Sequence, residues 1–151
     1  TLHTNSAPET LTRLLNMGVP SFNVATSVNL IIAQRLGRKL CSLCREPFDD
    51  IPDNVLTEKG FDDIGIDNKD FTIFKAVGCA QCTNGYKGRV GVYETLKISP
   101  AISKIIMEGG SSLNILEAAL GEGFRSLRIS ALCKAARGQI SIEEANRITK
   151  D

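Results

Sequence analysis

The sequence has 151 residues, of which 42% are hydrophobic and 23% are charged, and its formal net charge is +1. This balance is typical of a globular segment with one domain or two small ones. A charge near zero gives no reason to expect nucleic acid or an anionic membrane as a partner. The given sequence contains no secretory signal and no apolar run of about 20 residues that could span a membrane.

The first predicted elements are two short helices. Ser6 or Ala7 at the cap and Pro8 in the first turn predict a helix that ends at Gly18 and Pro20. Ser21 is then expected to cap a second helix, which runs to about Val28. Two helices therefore precede the first predicted strand.

Two strands are predicted to pair with each other. The continuous apolar run 30–33 indicates a strand buried on both faces, which continues to Leu36. Residues 89–96 are rich in β-branched and aromatic side chains and predict a second long strand. We expect the two strands to be neighbours, so that the segment between them is an excursion from a two-stranded base.

That excursion carries two Cys-x-x-Cys pairs, which are Cys41 with Cys44 and Cys79 with Cys82. Four thiolates in two closely spaced pairs are the ligand set of a structural zinc ion, and four cysteines leave no open position for catalysis. The glycines near the second pair favour tight turns that present the ligands. The spacing therefore predicts a structural Zn²⁺ site.

Disulfides and thiol redox chemistry are the alternatives to zinc. Disulfides need an oxidising compartment, for which the sequence shows no secretory signal. A thioredoxin-like motif needs only one Cys-x-x-Cys near a βαβ pattern. Loss of the metal is expected to loosen residues 41–88 and to leave the helices after Pro100 folded.

Charge is distributed unevenly around the cysteines. Residues 46–70 hold nine acids against Lys59 and Lys69, a net of −7. This insert is predicted to contain one short helix near 53–59, and a strand at 71–77 is predicted to lead from it to the second cysteine pair. A zinc ion with four thiolates carries about two negative charges. Cations near the cysteines either compensate that charge or are simply solvated; they are Arg38, Lys39, Arg45, Lys87 and Arg89.

The end of the chain is predicted to be helical. Helices are expected at 100–108, at 112 to about 121 and at 126–137, with Cys133 as a small buried hydrophobe. Ser141 and Glu144 have the spacing of a capping box that opens a last helix.

Three separated motifs resemble those of the secretion ATPases that assemble type IV pili and type II secretion systems (PilB/GspE type). The match spans essentially the whole chain. The motifs are Thr1-Leu2-His3-Thr4-Asn5, then Ala33-Gln34-Arg35-Leu36, then Gly78-Cys79-x-x-Cys82-x-x-Gly85-Tyr86-x-Gly88-Arg89-x-Gly91-x-x-Glu94. The first is similar to the family's His box, and the cysteine pairs are similar to the tetracysteine motif of its extension and secretion members.

The resemblance implies an α/β fold, the C-terminal portion of a RecA-like P-loop NTPase core with a four-cysteine zinc-binding arm and a C-terminal helical subdomain. The expected domains are the end of the core (1–40), the zinc arm (41–88), a return strand (89–99) and the helical subdomain (100–151). His3 is expected to be catalytic and to lie near the terminal phosphate of ATP. The sequence contains no G-x-x-x-x-G-K-[ST] loop, so we expect an excised fragment in which ATP and Mg²⁺ are cofactors of the parent only.

The implied function is that of a hexameric motor that powers pilus assembly by ATP hydrolysis. Its expected partners are copies of itself and an inner-membrane platform protein, at the cytoplasmic side of the inner membrane, with no nucleic acid. A type II secretion motor of the same family and a stand-alone zinc-binding adaptor are the alternatives, together with a thiol redox protein.

Overall fold

The computed structural model describes residues 4, 6–49, 51–65 and 71–150. Helices and strands are mixed, so the predicted α/β class is confirmed. The chain divides into two compact units, made of residues 1–33 with 93–126 and of residues 34–92 with 127–151. Within the described ranges, no helix is long and apolar enough to cross a membrane.

Unit 1 is built mainly from four helices, α1 (Ala7–Asn16), α2 (Ser21–Ser27), α4 (Pro100–Met107) and α5 (Ser112–Gly121). Apolar side chains from these helices and from one strand form its core, which comprises Ala7, Leu11, Val24, Ala25, Leu96, Ile102, Ile106, Ile115 and Ala119. Local sequence explains the helix starts. The hydroxyl of Ser6 accepts a hydrogen bond from the amide of Glu9, and Pro8 lies in the first turn, as predicted.

Two capping details differ from the sequence analysis. Ser21 is the first residue of α2 and not its cap, because Pro20 occupies the cap position without a side-chain hydrogen bond. The side chains of Ser111 and Asn114 form a full capping box at α5, which we had not predicted. Asparagine fills the position that Glu or Gln usually takes in this motif, so the S-x-x-E pattern does not reveal it.

The two long strands form an antiparallel ribbon, and the predicted pairing is confirmed. Strand β1 (Leu30–Leu40) pairs with β4 (Tyr86–Lys97). At one end the amide of Ile98 donates to the carbonyl of Asn29 over 3.0 Å, and at the other the amide of Cys41 donates to the carbonyl of Gly85 over 2.8 Å. The segment with the cysteines is therefore an excursion between neighbouring strands.

The prediction that residues 30–33 are buried on both faces is wrong. Leu30 is 49% exposed and Ile32 is 58% exposed, whereas Ile31 packs against the core of unit 1. Burial alternates because, in the described part of the chain, β1 has only β4 as a neighbour in a two-stranded sheet. An apolar run reports hydrophobicity but not how many layers cover the strand.

Unit 2 includes the end of the ribbon that is next to the cysteines. It contains strands β2 (Glu46–Pro47) and β3 (Phe74–Lys75), helix α3 (Asp53–Lys59), a 3₁₀ turn (Phe61–Ile64), and helices α6 (Leu127–Ala136) and α7 (Ile142–Thr149). Strands β2 and β3 are antiparallel, with Glu46 opposite Lys75. The helix predicted near 53–59 is confirmed, and the strand predicted at 71–77 is reduced to two residues.

The two compact units group residues differently from the four expected domains, whose boundaries stay a prediction. Residues 100–126 belong to unit 1, whereas α6 and α7 belong to unit 2 together with the segment that carries the cysteines. The helical segment at the end of the chain is therefore divided between the two units. Cys133, as predicted, is buried in α6, with 8% exposure.

Candidate metal centre

Each Cys-x-x-Cys pair lies on a tight turn. In the first turn, the carbonyl of Cys41 accepts a hydrogen bond from the amide of Arg45 over 3.0 Å. In the second turn, the amide of Cys82 donates to the carbonyl of Cys79 over 3.2 Å, and the amide of Cys79 donates to the sulfur of Cys82 over 3.3 Å. Both turns therefore fold back so that the two sulfurs of each pair point to one place.

The four sulfurs form a compact cluster. Their Sγ atoms all lie within 4.8 Å of one another: the separation is 4.0 Å from Cys41 to Cys79, 3.7 Å from Cys44 to Cys82 and 3.7 Å from Cys79 to Cys82. A disulfide would need sulfurs at roughly 2.05 Å, and all four cysteines are free. Zn–S bonds of roughly 2.3 Å in a tetrahedron place sulfurs roughly 3.8 Å apart. The four side chains can therefore hold one metal ion.

A turn after the second pair brings the two pairs together. Thr83 and Tyr86 exchange backbone hydrogen bonds of 3.0 Å, which closes a two-residue turn at Asn84 and Gly85. Both turn residues have positive φ, 50° and 84°. A Cβ atom on Gly85 would lie 2.6 Å from the Cβ of Ala76, so the site requires glycine there. The carbonyl of Gly85 then accepts a hydrogen bond from the amide of Cys41, which joins the turn to the first cysteine pair.

The thiols differ in their tendency to ionise. Desolvation raises the pKa of Cys44 to about 12, and hydrogen bonds with the other three thiols add to the effect. Desolvation also opposes ionisation of Cys82. Hydrogen bonds to its sulfur outweigh this effect and lower the pKa of Cys82 to about 7. They come from the amide and thiol of Cys79, the thiol of Cys44 and the amide of Gly85. Four thiols this close need a cation to ionise together, which is the chemistry of a metal centre.

The structure corrects the roles expected for two of the nearby cations. Arg38 and Arg45 are engaged away from the sulfurs. The guanidinium of Arg45 donates to the carbonyl of Gly138 and lies over the ring of Phe74, 4.4 Å from its centroid. Arg38 binds Glu144. Both arginines therefore connect the base of the cysteine segment to the last helices.

Glu144 of α7 is the centre of this connection. Its side chain is 0% exposed and accepts hydrogen bonds from the amide, Nε and Nη2 of Arg38 at 2.7, 2.9 and 2.8 Å. Arg147 donates two more, at 2.9 and 2.5 Å. Burial opposes ionisation, but these bonds outweigh it and lower the pKa of Glu144 to about 2. Glu144 therefore does not complete the predicted capping box, of which only the bond from its amide to the Ser141 hydroxyl is present.

Three further contacts lie around this carboxylate. The guanidinium of Arg38 lies 4.3 Å from the centroid of the Tyr86 ring, and the hydroxyls of Tyr86 and Ser141 are 2.8 Å apart. The amide of Leu40 donates to the carbonyl of Gln139 over 2.9 Å. Both strands of the ribbon are thus bound to the turn between α6 and α7, next to the cysteine pairs.

Sequence reasoning found the four sulfurs and missed the pairing of Glu144 with Arg38. The cysteines have a spacing that points to a metal, whereas Arg38 and Glu144 are 106 residues apart, and Glu144 was assigned only to a capping box with Ser141. Glu94 closes the third motif, but sequence reasoning did not predict its contact: it is buried at 3% exposure and accepts a hydrogen bond from the Ala7 amide at the start of α1. His3, the expected catalytic residue, lies outside the described residues, and its role stays a prediction.

Comparison with known proteins places the chain in a family. Residues 1–147 match the model of the type II/IV secretion system protein family. Over its whole length the chain is 60% identical to the type IV pilus assembly ATPase PilB of Pseudomonas aeruginosa and 56% identical to that of Acinetobacter baylyi, and it covers 26% of each. It is 36% identical to the type II secretion system protein HxcR of P. aeruginosa, of which it covers 28%. The chain thus spans about a quarter of the length of these relatives, and it belongs to the type II/IV secretion system protein family.

Proposed function

We propose that the chain is the C-terminal part of a motor ATPase that powers type IV pilus assembly. The observation that carries this proposal is the 60% identity to a type IV pilus assembly ATPase over the whole chain. The type II secretion relative is 36% identical over the same span. A pilus motor is therefore preferred to a secretion motor, which is the second candidate.

In this proposal the parent hydrolyses ATP and this segment does not. The sequence lacks the glycine-rich loop and lysine that hold the phosphates of ATP and Mg²⁺ in P-loop enzymes. The parts of a RecA-like core that supply those groups would lie elsewhere in the parent. The segment is proposed to contribute the end of that core, a metal-stapled arm and the last helices, and His3 is proposed to act at the terminal phosphate of ATP in the parent.

The metal in this proposal is a structural zinc ion bound by Cys41, Cys44, Cys79 and Cys82. Sulfur separations of 3.7 to 4.0 Å support a tetrahedral site, and a complete thiolate set favours zinc over harder divalent cations. When bound, the ion supplies a cross-link between the two turns and no catalysis. The arm would then depend on zinc for its fold.

The motor is proposed to assemble as a hexameric ring at the cytoplasmic face of the inner membrane. There it would act on a platform protein of the pilus machine. This part of the proposal rests on the family resemblance. A stand-alone zinc adaptor is disfavoured because the family match covers residues 1–147 and not only the cysteine segment.

A segment exchange in P. aeruginosa tests the function. The matching segment of its PilB is replaced by this chain, and pilus assembly is measured in cells that lack their own PilB. In parallel, the matching segment of HxcR is replaced, and type II secretion is measured. We expect the PilB exchange to restore pili and the HxcR exchange to restore secretion poorly.

A PilB exchange with serine at all four cysteine positions is the matched control, and we expect it to fail to assemble pili at normal protein level. Secretion restored fully by the HxcR exchange, with no pili from the PilB exchange, would favour the secretion motor. Full pilus assembly by the serine variant would show that the metal centre is not needed.

A further inference from the structure

The two cysteine pairs of the metal centre differ in their access to solvent. Cys41 is 1% exposed, and the hydrogen bond from its amide to the carbonyl of Gly85 fastens its turn. Cys79 is exposed, and so are residues 80 and 81, which are the next two of its turn. A small solute therefore reaches the second pair more easily than the first.

The sulfur of Cys79 has two close sulfur neighbours. The Sγ atom of Cys82 lies 3.7 Å away, and the Sγ atom of Cys41 lies 4.0 Å away. A disulfide needs the two sulfurs at roughly 2.05 Å. Cys82 belongs to the same turn as Cys79, so this pair can close by a change within one turn, whereas Cys41 would have to leave its buried position. Cys82 is therefore the favoured partner of Cys79.

We propose that the metal centre is a peroxide-sensitive switch, in which hydrogen peroxide joins Cys79 and Cys82 in a disulfide and the metal ion is released. The thiolate of Cys79 attacks one oxygen of the peroxide, the O–O bond breaks, and one proton from solvent completes a sulfenic acid and a water molecule. The thiolate of Cys82 then attacks that sulfur, the S–O bond breaks, and the leaving hydroxide takes a second proton to form water. Two thiolates thus lose two electrons to one peroxide.

Oxidation of this pair removes the cross-link between the two cysteine turns. A metal binds the thiolate form of cysteine, so two of the four ligands are lost when the disulfide forms. Cys41 and Cys44 keep their thiols, and two thiols are too few for a structural zinc site. Residues 41–88 then lose the ion that holds the two turns together.

The switch rests on the structural zinc ion of the proposed function and adds that this staple is reversible. A thiol reductant attacks the disulfide and restores both thiolates, after which the site can bind metal again. In a reducing compartment the disulfide therefore lasts only while peroxide is present, which is the behaviour of a redox sensor. In the proposed motor, the arm loosens in the presence of peroxide and tightens again after reduction.

Oxidation of the zinc-loaded chain tests the switch without any substitution. The purified chain is treated with excess hydrogen peroxide, and released zinc is followed with a coloured chelator. Free thiols are then alkylated, and disulfides are located by mass spectrometry of tryptic peptides. Cleavage after Lys and Arg places the first cysteine pair in peptide 40–45 and the second pair in peptide 76–87. Cys133 is the internal control, because it is buried at 8% exposure and lies outside the four-sulfur cluster.

We expect one zinc ion to be released per chain, in step with a mass loss of about 2 Da in the peptide that carries Cys79 and Cys82. Cys41, Cys44 and Cys133 should be alkylated as free thiols. A dithiol reductant with added zinc should restore metal binding to within about a tenth of its starting value.

Two histidine variants separate the roles of the cysteines. Three cysteines with one histidine are an ordinary zinc ligand set, so Cys82→His and Cys44→His can each keep the metal. Cys44→His retains the second pair and should recover zinc as fully as the starting protein. In Cys82→His, the sulfenic acid of Cys79 lacks its partner and is oxidised further to a sulfinic acid, so at most about half of the zinc binding should return. Zinc content before oxidation identifies a variant that does not bind metal, and the peptide map of the starting protein then decides.

Zinc that stays bound in excess peroxide would overturn the proposal, and so would a first disulfide within peptide 40–45 or between the two peptides. Full recovery of zinc binding by Cys82→His would also overturn it, because Cys82 would not then be the partner of Cys79. A chain that holds no metal before oxidation would overturn the zinc site and the switch together. Failure of the switch in a chain that does hold zinc leaves the proposed function in place, so the two failures are distinct.

Discussion

Replacing Glu144 by Gln removes one charge from a buried carboxylate that joins α7 to the ribbon. The folded protein lowers the pKa of Glu144 from the ordinary value of 4.5 to about 2. At about 1.4 kcal/mol for each tenfold change in proton affinity, this difference corresponds to roughly 3 kcal/mol of folding free energy at pH 7. A loss of that size is a large fraction of the stability of a small domain.

Urea unfolding of the zinc-loaded chain at pH 7, followed by far-UV circular dichroism, measures this loss. Glu143→Gln is the matched control, because Glu143 is the exposed neighbour in the same helical turn. We expect Glu144→Gln to reduce the free energy of unfolding by roughly 3 kcal/mol and Glu143→Gln by less than about 1 kcal/mol. Equal effects of the two substitutions would refute the importance of the buried carboxylate.

The pH dependence gives a second test of the same residue. Because its pKa is lowered in the folded state, Glu144 stabilises the protein fully above about pH 4.5, and this contribution is lost as the pH falls towards about 2. The difference in unfolding free energy between the starting protein and Glu144→Gln should therefore shrink over this range. Metal release affects both proteins and largely cancels in the difference. A difference that stays constant down to pH 2 would show that the charge is not the cause.

Three further predictions concern the metal centre, the nucleotide and His3. Cys79→Ser should increase hydrogen exchange in residues 41–88. Because the ribbon contacts α6 and α7, the sequence-based expectation for the helices after Pro100 now holds only for α4 and α5, which should stay protected while exchange rises in α6 and α7. Uniform exchange over the whole chain would contradict a local staple. The isolated chain should show no ATPase activity and no tight ATP binding, because it lacks the phosphate loop, and micromolar affinity by calorimetry would contradict this. In the full-length parent, His3→Ala should lower turnover more than nucleotide affinity, and a change in KM alone would remove His3 from the catalytic residues.

Sequence predicted those features of the fold that depend on neighbouring residues. The helix starts at Ser6 and Ser111 and the turn at Gly85 follow from local backbone chemistry, although the Ser111 cap uses an asparagine that the usual pattern does not include. The pairing of β1 with β4 was predictable because both strands carry long apolar stretches and flank the cysteine pairs. The clustering of the four cysteine sulfurs was predictable because the two residues of each pair have a fixed local spacing.

Features that depend on distant residues were not predictable. Arg38, which donates hydrogen bonds to Glu144, lies 106 residues earlier, and no residue near Glu144 in the sequence indicates this contact. The sequence therefore predicted only a local role for Glu144, in a capping box with Ser141. The exposure of Leu30 and Ile32 depends on which layers cover the strand, and an apolar run carries no information on that. The grouping of α6 and α7 with the cysteine segment likewise follows from contacts that only the fold reveals.

X-ray absorption at the zinc edge on the purified chain tests whether four thiolates bind one structural zinc ion. We expect one zinc per chain with four sulfur neighbours at roughly 2.3 Å and no nitrogen or oxygen ligand. Substitution of Cys44 by Ser should reduce the sulfur count to three or abolish binding. A folded chain with no metal and free thiols at Cys41, Cys44, Cys79 and Cys82 would show that the four cysteines are not a structural zinc site.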